Sequence, residues 1–212
     1  MMLYLPVLAE DGNIWLNNNL GAHYAYVFHS NFNLAQQATN ETDHLAYGSL
    51  FQWGRKPDSH ELINWTNSST PVAVRGTSST NNNNPTDSNF ITEPNSPYDW
   101  RINQNNNLWA SESGTNNPCP AGFRVPTISE LDELLSAANI TNSSSGFNSI
   151  LKLTKPGLRN HVGQFSNYST EGVYMSSSVS SIYALSRTID SGGLINTTTY
   201  RAMGTTVRCR KN

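Results

Sequence analysis

Between Ser176 and Tyr200 the chain contains no Lys, Glu, Gln, Met or Trp, and 14 of these 25 residues are Ser, Thr, Asn or Tyr. The flanks carry the period-2 pattern of half-buried strands: Val173 and Met175 alternate with Tyr174 and Ser176, and Val207 and Cys209 alternate with Thr206 and Arg208. The stretch 172–209 therefore reads as two or three strands with long polar connections. Tyr supplies large contact area at low entropic cost, and Ser and Gly supply adaptable hydrogen bonding, so these residues suit a surface held out to a ligand by a rigid scaffold. A polar surface loop of an exported β-rich protein has the same composition. If Val173, Met175 and Val207 take the buried face, their neighbours point outward. Tyr174, Ser176, Ser178, Ser180, Tyr183, Ser186, Thr188, Thr197, Thr199 and Tyr200 are then expected on one exposed ligand-binding face. Tyr183 and Tyr200 are its candidate aromatic anchors.

With 212 residues and no clean linker, the chain reads as one domain, 1–212. Charged residues make up only 13% and the formal net charge is −2, which leaves no basic footprint for nucleic acid and disfavours a polyanionic partner. Asn, with 28 copies, joins Ser and Thr as the solubilising surface in place of charge. The two cysteines, Cys119 and Cys209, have no metal-ligand spacing. They are either a disulfide or two buried thiols, and an exported chain favours the disulfide. No apolar run is long enough to span a bilayer. The start, Met1 to Ala9, lacks a basic n-region and a full apolar core, so the targeting segment of an exported chain would lie upstream of it.

Along the chain, Asp11-Gly12 followed by Ile14-Trp-Leu16 predicts a hairpin over residues 5–16. Phe32 to Tyr47 is compatible with one helix or two short ones. Phe51 and Trp53 read as core, as do Trp15, Leu131, Leu135 and Val207. From Asn64 to Asn107 the chain is too poor in apolar residues to order itself. It is expected to drape over the core as loops pinned by Phe90-Ile91, Tyr98, Trp100 and Leu108-Trp109. Thr127 and Glu130 form a capping box ahead of Ile128, Leu131, Leu134, Leu135 and Ala138, the pattern of a one-sided helix. Asn139 to Gly146 terminates it, and Asp132 and Glu133 fall on its solvated face. Leu151, Leu153, Leu158 and Phe165 suggest strands around the Pro156-Gly157 turn.

Catalytic patterns are absent. The five His residues show no His-Glu-x-x-His spacing, no Gly-x-Ser-x-Gly elbow occurs, and no Gly-rich phosphate loop precedes a helix. His60-Glu61 reads as a loop contact. Glu93-Pro94-Asn95 matches a tripeptide used by calcium-dependent lectins for sugar hydroxyls, but its Trp-Asn-Asp companion is missing and calcium needs more carboxylates. The sequence calls for no metal, no cofactor and no enzyme.

Six blocks, in order, resemble the Fibrobacter-succinogenes-type major paralogous domain, a bacterial surface module. They are residues 14–22 (Ile-Trp-Leu-Asn-Asn-Asn-Leu-Gly-Ala), 47–55 (Tyr-Gly-Ser-Leu-Phe-Gln-Trp-Gly-Arg), Asp99-Trp-Arg101, 117–127 (Asn-Pro-Cys-Pro-Ala-Gly-Phe-Arg-Val-Pro-Thr), 172–178 (Gly-Val-Tyr-Met-Ser-Ser-Ser) and 201–209 (Arg-Ala-Met-Gly-Thr-Thr-Val-Arg-Cys). The resemblance implies an α+β, C-type-lectin-like fold with an antiparallel core sheet, one or two framing helices and long irregular loops. The family usually carries Trp at the position of Met175 and a charged residue near Asn17 to Asn19. Domains of this kind also carry the variable regions written by diversity-generating retroelements, in which mutated Asn codons ending in a pyrimidine cannot yield Lys, Glu, Gln, Met or Trp. Residues 176–200 fit that rule, and Asn196 to Tyr200 looks like such a product. Met175 and Met203 could not arise that way. The resemblance thus implies a surface-exposed, extracellular recognition protein, lipid-anchored where an upstream segment provides for it. Its partner would be a protein or glycan ligand on another cell or surface. The alternatives are a structural adhesin or cell-wall module without a diversified site, and an enzyme related to formylglycine-generating proteins. Those enzymes use closely placed cysteines near the C-terminus, which this chain lacks.

Overall fold

Asp11-Gly12 does turn the first hairpin. A computed structural model describes residues 1–212; in it strands Pro6–Leu8 and Ile14–Leu16 pair antiparallel, with Gly12 at φ +74°. Asp11 holds the turn by accepting from the Asn13 backbone N–H and from the Trp15 indole. The C-terminal strand Arg210–Lys211 pairs with Ile14–Leu16, and Phe123–Arg124 pairs with Arg210–Lys211, so the two chain ends meet in one four-stranded antiparallel sheet. A second antiparallel sheet runs in the order Phe165–Ser166, Leu158–Arg159, Gly204–Thr205, Phe51–Gln52. The third is a meander of Glu171–Ser180, Tyr183–Asp190 and Leu194–Tyr200. The architecture is mostly antiparallel β with two short helices, α1 (Ile128–Ala137) and α2 (Ser143–Asn148).

Helix α1 forms for the reasons its sequence states. The Thr127 hydroxyl accepts the Glu130 N–H while the Glu130 carboxylate accepts the Thr127 N–H, and Leu131, Leu134 and Leu135 are buried. Ser178, from the meander, satisfies a further first-turn donor by accepting the Ile128 N–H at 3.0 Å. Two expectations fail nearby. Asn139, at φ +52°, ends α1, but Asn142 and Ser145 cap each other reciprocally and start α2 within the stretch read as a terminator. Residues 32–47 form turns with a single 3₁₀ turn, His44–Ala46, because Asp43 accepts from Leu45 N–H, Thr39 N–H and the Tyr24 hydroxyl. Such local bonds compete with helix.

Two hydrophobic clusters carry the fold. The larger gathers Leu16, Phe51, Trp53, Trp100, Trp109, Met175 and Val207; the smaller packs Leu131, Leu134 and Leu135 of α1 against Trp15, Tyr174 and Ile189. All six residues expected in the core are buried. In the middle segment Phe90, Ile91, Trp100, Leu108 and Trp109 are buried pins, while Tyr98 is half-buried. Leu151 and Leu153 are buried without joining a strand. Cys119 and Cys209 form a disulfide with Cα atoms 6.0 Å apart, tying the segment ahead of α1 to the last strand. Bonds of this kind persist in oxidising compartments. No helix is long and apolar enough to cross a membrane.

Candidate ligand-binding site

The strand Glu171–Ser180 runs between the two clusters and gives side chains to both. Met175 enters the larger and its neighbour Tyr174 the smaller. Alternation therefore sends successive residues to opposite faces, as expected, but both faces are covered. Tyr174 is 3% exposed, and its hydroxyl accepts the Thr154 N–H at 2.7 Å and donates to the Thr154 carbonyl at 3.0 Å. Ser176, fully buried, sits where the register shifts between Met175 and Val179. Its hydroxyl donates to the Leu185 carbonyl and accepts the Ser178 N–H, which holds the bulge. Tyr174 and Ser176 thus do not belong to an exposed face, and Ser178 spends its hydroxyl on α1.

On the other two strands the expected face also divides. Thr188 pairs with Val173 and Ser186 with Met175, so both lie on the same side of the sheet as Val173 and Met175. Their hydroxyls meet Thr197 Oγ1 at 3.0 and 2.9 Å, a cross-strand hydroxyl ladder in which Ser186 and Thr188 are buried and Thr197 is half-buried. Thr199 is buried with its hydroxyl unpartnered. Five of the ten expected side chains, Tyr174, Ser176, Ser186, Thr188 and Thr199, are therefore interior. Of the rest, Ser180 is exposed, and Ser178, Tyr183, Thr197 and Tyr200 are half-buried.

What remains at the surface centres on the two tyrosines. Tyr183 and Tyr200 are directly opposed across the strands, and their rings stack with centroids 5.5 Å apart. Two residues from distant segments join them: Tyr98 lies 4.1 Å from the Tyr200 ring and His161 lies 5.2 Å from it. Tyr98 and His161 also contact each other edge to face at 5.2 Å. Four half-buried rings thus form one patch. Sequence reading treated Tyr98 as a pin and gave His161 no role; no periodicity links either of them to the meander.

Behind the patch lies Arg201, 1% exposed, over the Trp53 ring at 4.8 Å and 3.7 Å from Asp99. Burial lowers the Arg201 pKa and raises that of Asp99. Arg201 Nη2 donates to the Asn106 side-chain oxygen at 2.7 Å and to the Ser181 carbonyl at 3.0 Å. The guanidinium thereby ties the turn after Ser180 to the Asn-rich loop.

One other cluster has metal-ligand composition: Asp58, His60 and Glu61, with donor atoms within 4.8 Å of one another. Its hydrogen bonds do not suit a cation. His60 Nε2 accepts the Gln52 N–H at 3.2 Å, so the ring proton sits on Nδ1, which lies 2.7 Å from Asp58 Oδ1. Both ring nitrogens are committed, and Arg55 already pairs with Asp58 at 2.9 Å. Burial holds the His60 pKa down at about 4, which keeps the ring neutral. The group is a buried brace, in keeping with its reading as a loop contact.

Compared with protein-family models, curated proteins and solved structures, the chain matches none.

Proposed function

We propose that this chain is a surface-exposed recognition protein that holds its C-terminal meander toward a ligand on a C-type-lectin-like scaffold, in the manner of retroelement-diversified receptors. The observation that carries the reading is the four-ring patch of Tyr98, His161, Tyr183 and Tyr200, half-buried at the end of the meander and backed by a rigid core. A few aromatic anchors supply much of the energy at recognition surfaces, and neighbouring hydroxyls supply complementarity. Ser180 and Thr198 are exposed beside them. The Cys119–Cys209 disulfide supports an exported location. The ligand class is a protein or glycan presented on another cell or surface.

The test compares wild type with Tyr183→Ala/Tyr200→Ala on a displayed-peptide library and a glycan array. Selective ligands that the double variant no longer binds, at an unchanged melting temperature, support the reading. Ligands retained by the double variant, or none selected from either collection, reject it. The diversification part is read from DNA: a near-identical template copy with adenines at the codons of Tyr183, Thr197, Thr198 and Tyr200 supports it, and a locus lacking a template and reverse transcriptase removes it.

A further inference from the structure

Next to the tyrosine patch the loop 101–107 opens a cleft of ≈ 510 Å³ lined without a single apolar or acidic residue. Its walls are Asn83, Arg101, Gln104 and the neighbouring Asn residues, with Ser181 from the turn of the meander. Arg201, the residue after Tyr200, bonds both Asn106 and Ser181 and so fixes this cleft beside the patch.

The hydrogen bonds inside the walls bias what the cleft offers. The Asn83 side-chain oxygen accepts the Asn103 N–H, the Asn105 oxygen accepts the Asn107 N–H, and the Asn106 oxygen accepts Arg201 Nη2. Each partner is a donor, so each amide must turn its oxygen toward the protein and keep its NH₂ for a ligand. Arg101 is held in the same way. Its Nη1 donates to the Asn83 carbonyl, its Nε donates to the Asn103 carbonyl, and its guanidinium lies 5.3 Å from the Trp100 ring centre, which leaves Nη2 uncommitted. No carboxylate forms an ion pair with Arg101. Asp99, two residues before it, is buried, accepts the Arg101 backbone N–H and faces Arg201 at 3.7 Å; burial raises its pKa, and both arginines draw it back toward its charged form. Asn83, Asn105 and Asn106 thus present oriented NH₂ donors beside a guanidinium that forms no ion pair across the cleft, and an acceptor-rich anion complements both.

We propose that this cleft takes the carboxylate of an acidic sugar whose ring packs against the Tyr183/Tyr200 patch, an inference that rests on the recognition reading and names its ligand class. Charge-assisted hydrogen bonds from a guanidinium and neighbouring amides are the strong form of carboxylate recognition. The low charge of the chain argues against a polyanion, but one carboxylate needs one cation. The aromatic patch beside the cleft favours a ligand with an apolar ring face, such as a sugar, over a free inorganic anion.

The full chain is applied to an array carrying uronate-terminated oligosaccharides and their neutral hexose-terminated counterparts. Uronate members are expected to bind at least about tenfold more tightly than the neutral ones. Asn103→Asp puts a negative charge at a side chain that makes no hydrogen bond within the protein. It should abolish the uronate preference with an unchanged melting temperature, and Arg101→Gln, which also gives up two loop hydrogen bonds, should abolish the preference too. Equal binding of both members, preference for the neutral one, indifference to Asn103→Asp, or no sugar bound at all would overturn the proposal. Tyr200→Ala separates the two readings. A preference that survives Tyr200→Ala but not Asn103→Asp leaves the cleft without the platform. Ligands lost with Tyr200→Ala but indifferent to Asn103→Asp leave the platform without the cleft.

Discussion

Arg208 Nε donates to the side-chain oxygen of Asn19 at 2.9 Å, joining the segment after the first hairpin to the last residues of the chain across 189 positions. Nη1 of the same guanidinium donates to the carbonyls of Leu16, Asn17 and Leu151, so a fully buried cation is solvated by neutral oxygens and by no carboxylate. Burial lowers its pKa to about 10. Asn19 in turn donates to the carbonyls of Ala46 and Tyr47. The chain uses a neutral amide, and no carboxylate, to hold this buried arginine. Removing one side of such an arrangement strands the other. Asn19→Ala should therefore destabilise the fold by about 3 kcal/mol or more, read as a shift of the urea midpoint. Wild-type stability in that variant would mean that water replaces the amide.

The disulfide spans 90 positions. In the chain-entropy model, closing a loop of that length stabilises by roughly 4 to 5 kcal/mol. Digestion without reductant should yield the Cys119–Cys209 linked peptide, and Cys119→Ala/Cys209→Ala should lower the melting temperature. Two alkylatable thiols in protein taken from its native compartment would remove the bond from the account.

Acid should loosen the Asp58–His60–Glu61 brace. The folded pKa of His60 is lowered to about 4 by burial, against an ordinary value of 6.5, so between these limits the unfolded chain binds a proton that the folded chain refuses. The contribution is complete above pH 6.5 and is lost as pH falls toward 4. Its size is about 3 kcal/mol for this one group. His23, also lowered to about 4 chiefly by burial, acts in the same direction. Chemical denaturation from pH 7 to pH 4.5 should show falling stability, with a smaller slope in His60→Gln. An unchanged slope in that variant would place the acid sensitivity elsewhere.

Within the meander, position decides consequence. Tyr174→Phe strips a buried hydroxyl from both the N–H and the carbonyl of Thr154, and should cost about 1 to 3 kcal/mol. Thr198→Ala, on an exposed position of the last strand, should stay within about 0.5 kcal/mol. Equal effects on the melting temperature would contradict the division between interior and surface hydroxyls.

Much of the frame was legible because it is written in local rules. Thr127 and Glu130 cap α1 through contacts three residues apart, Asp11-Gly12 fixes a turn that few other dipeptides permit, and large aromatics such as Trp15 and Trp53 have nowhere stable to go but the interior. The cysteine count admitted a disulfide, and only proximity in the fold chose it over two separate thiols. The binding face was only half legible. Alternation tells which residues share a side of a strand, but it does not tell what covers that side. Glu171–Ser180 lies between two cores, so Tyr174 and Ser176 are buried although their spacing matches that of exposed residues. Tyr98 and His161 join Tyr200 from segments 102 and 39 positions away. Contacts at such separations follow from the packing of sheets and loops on one another, so only the tertiary structure decided them.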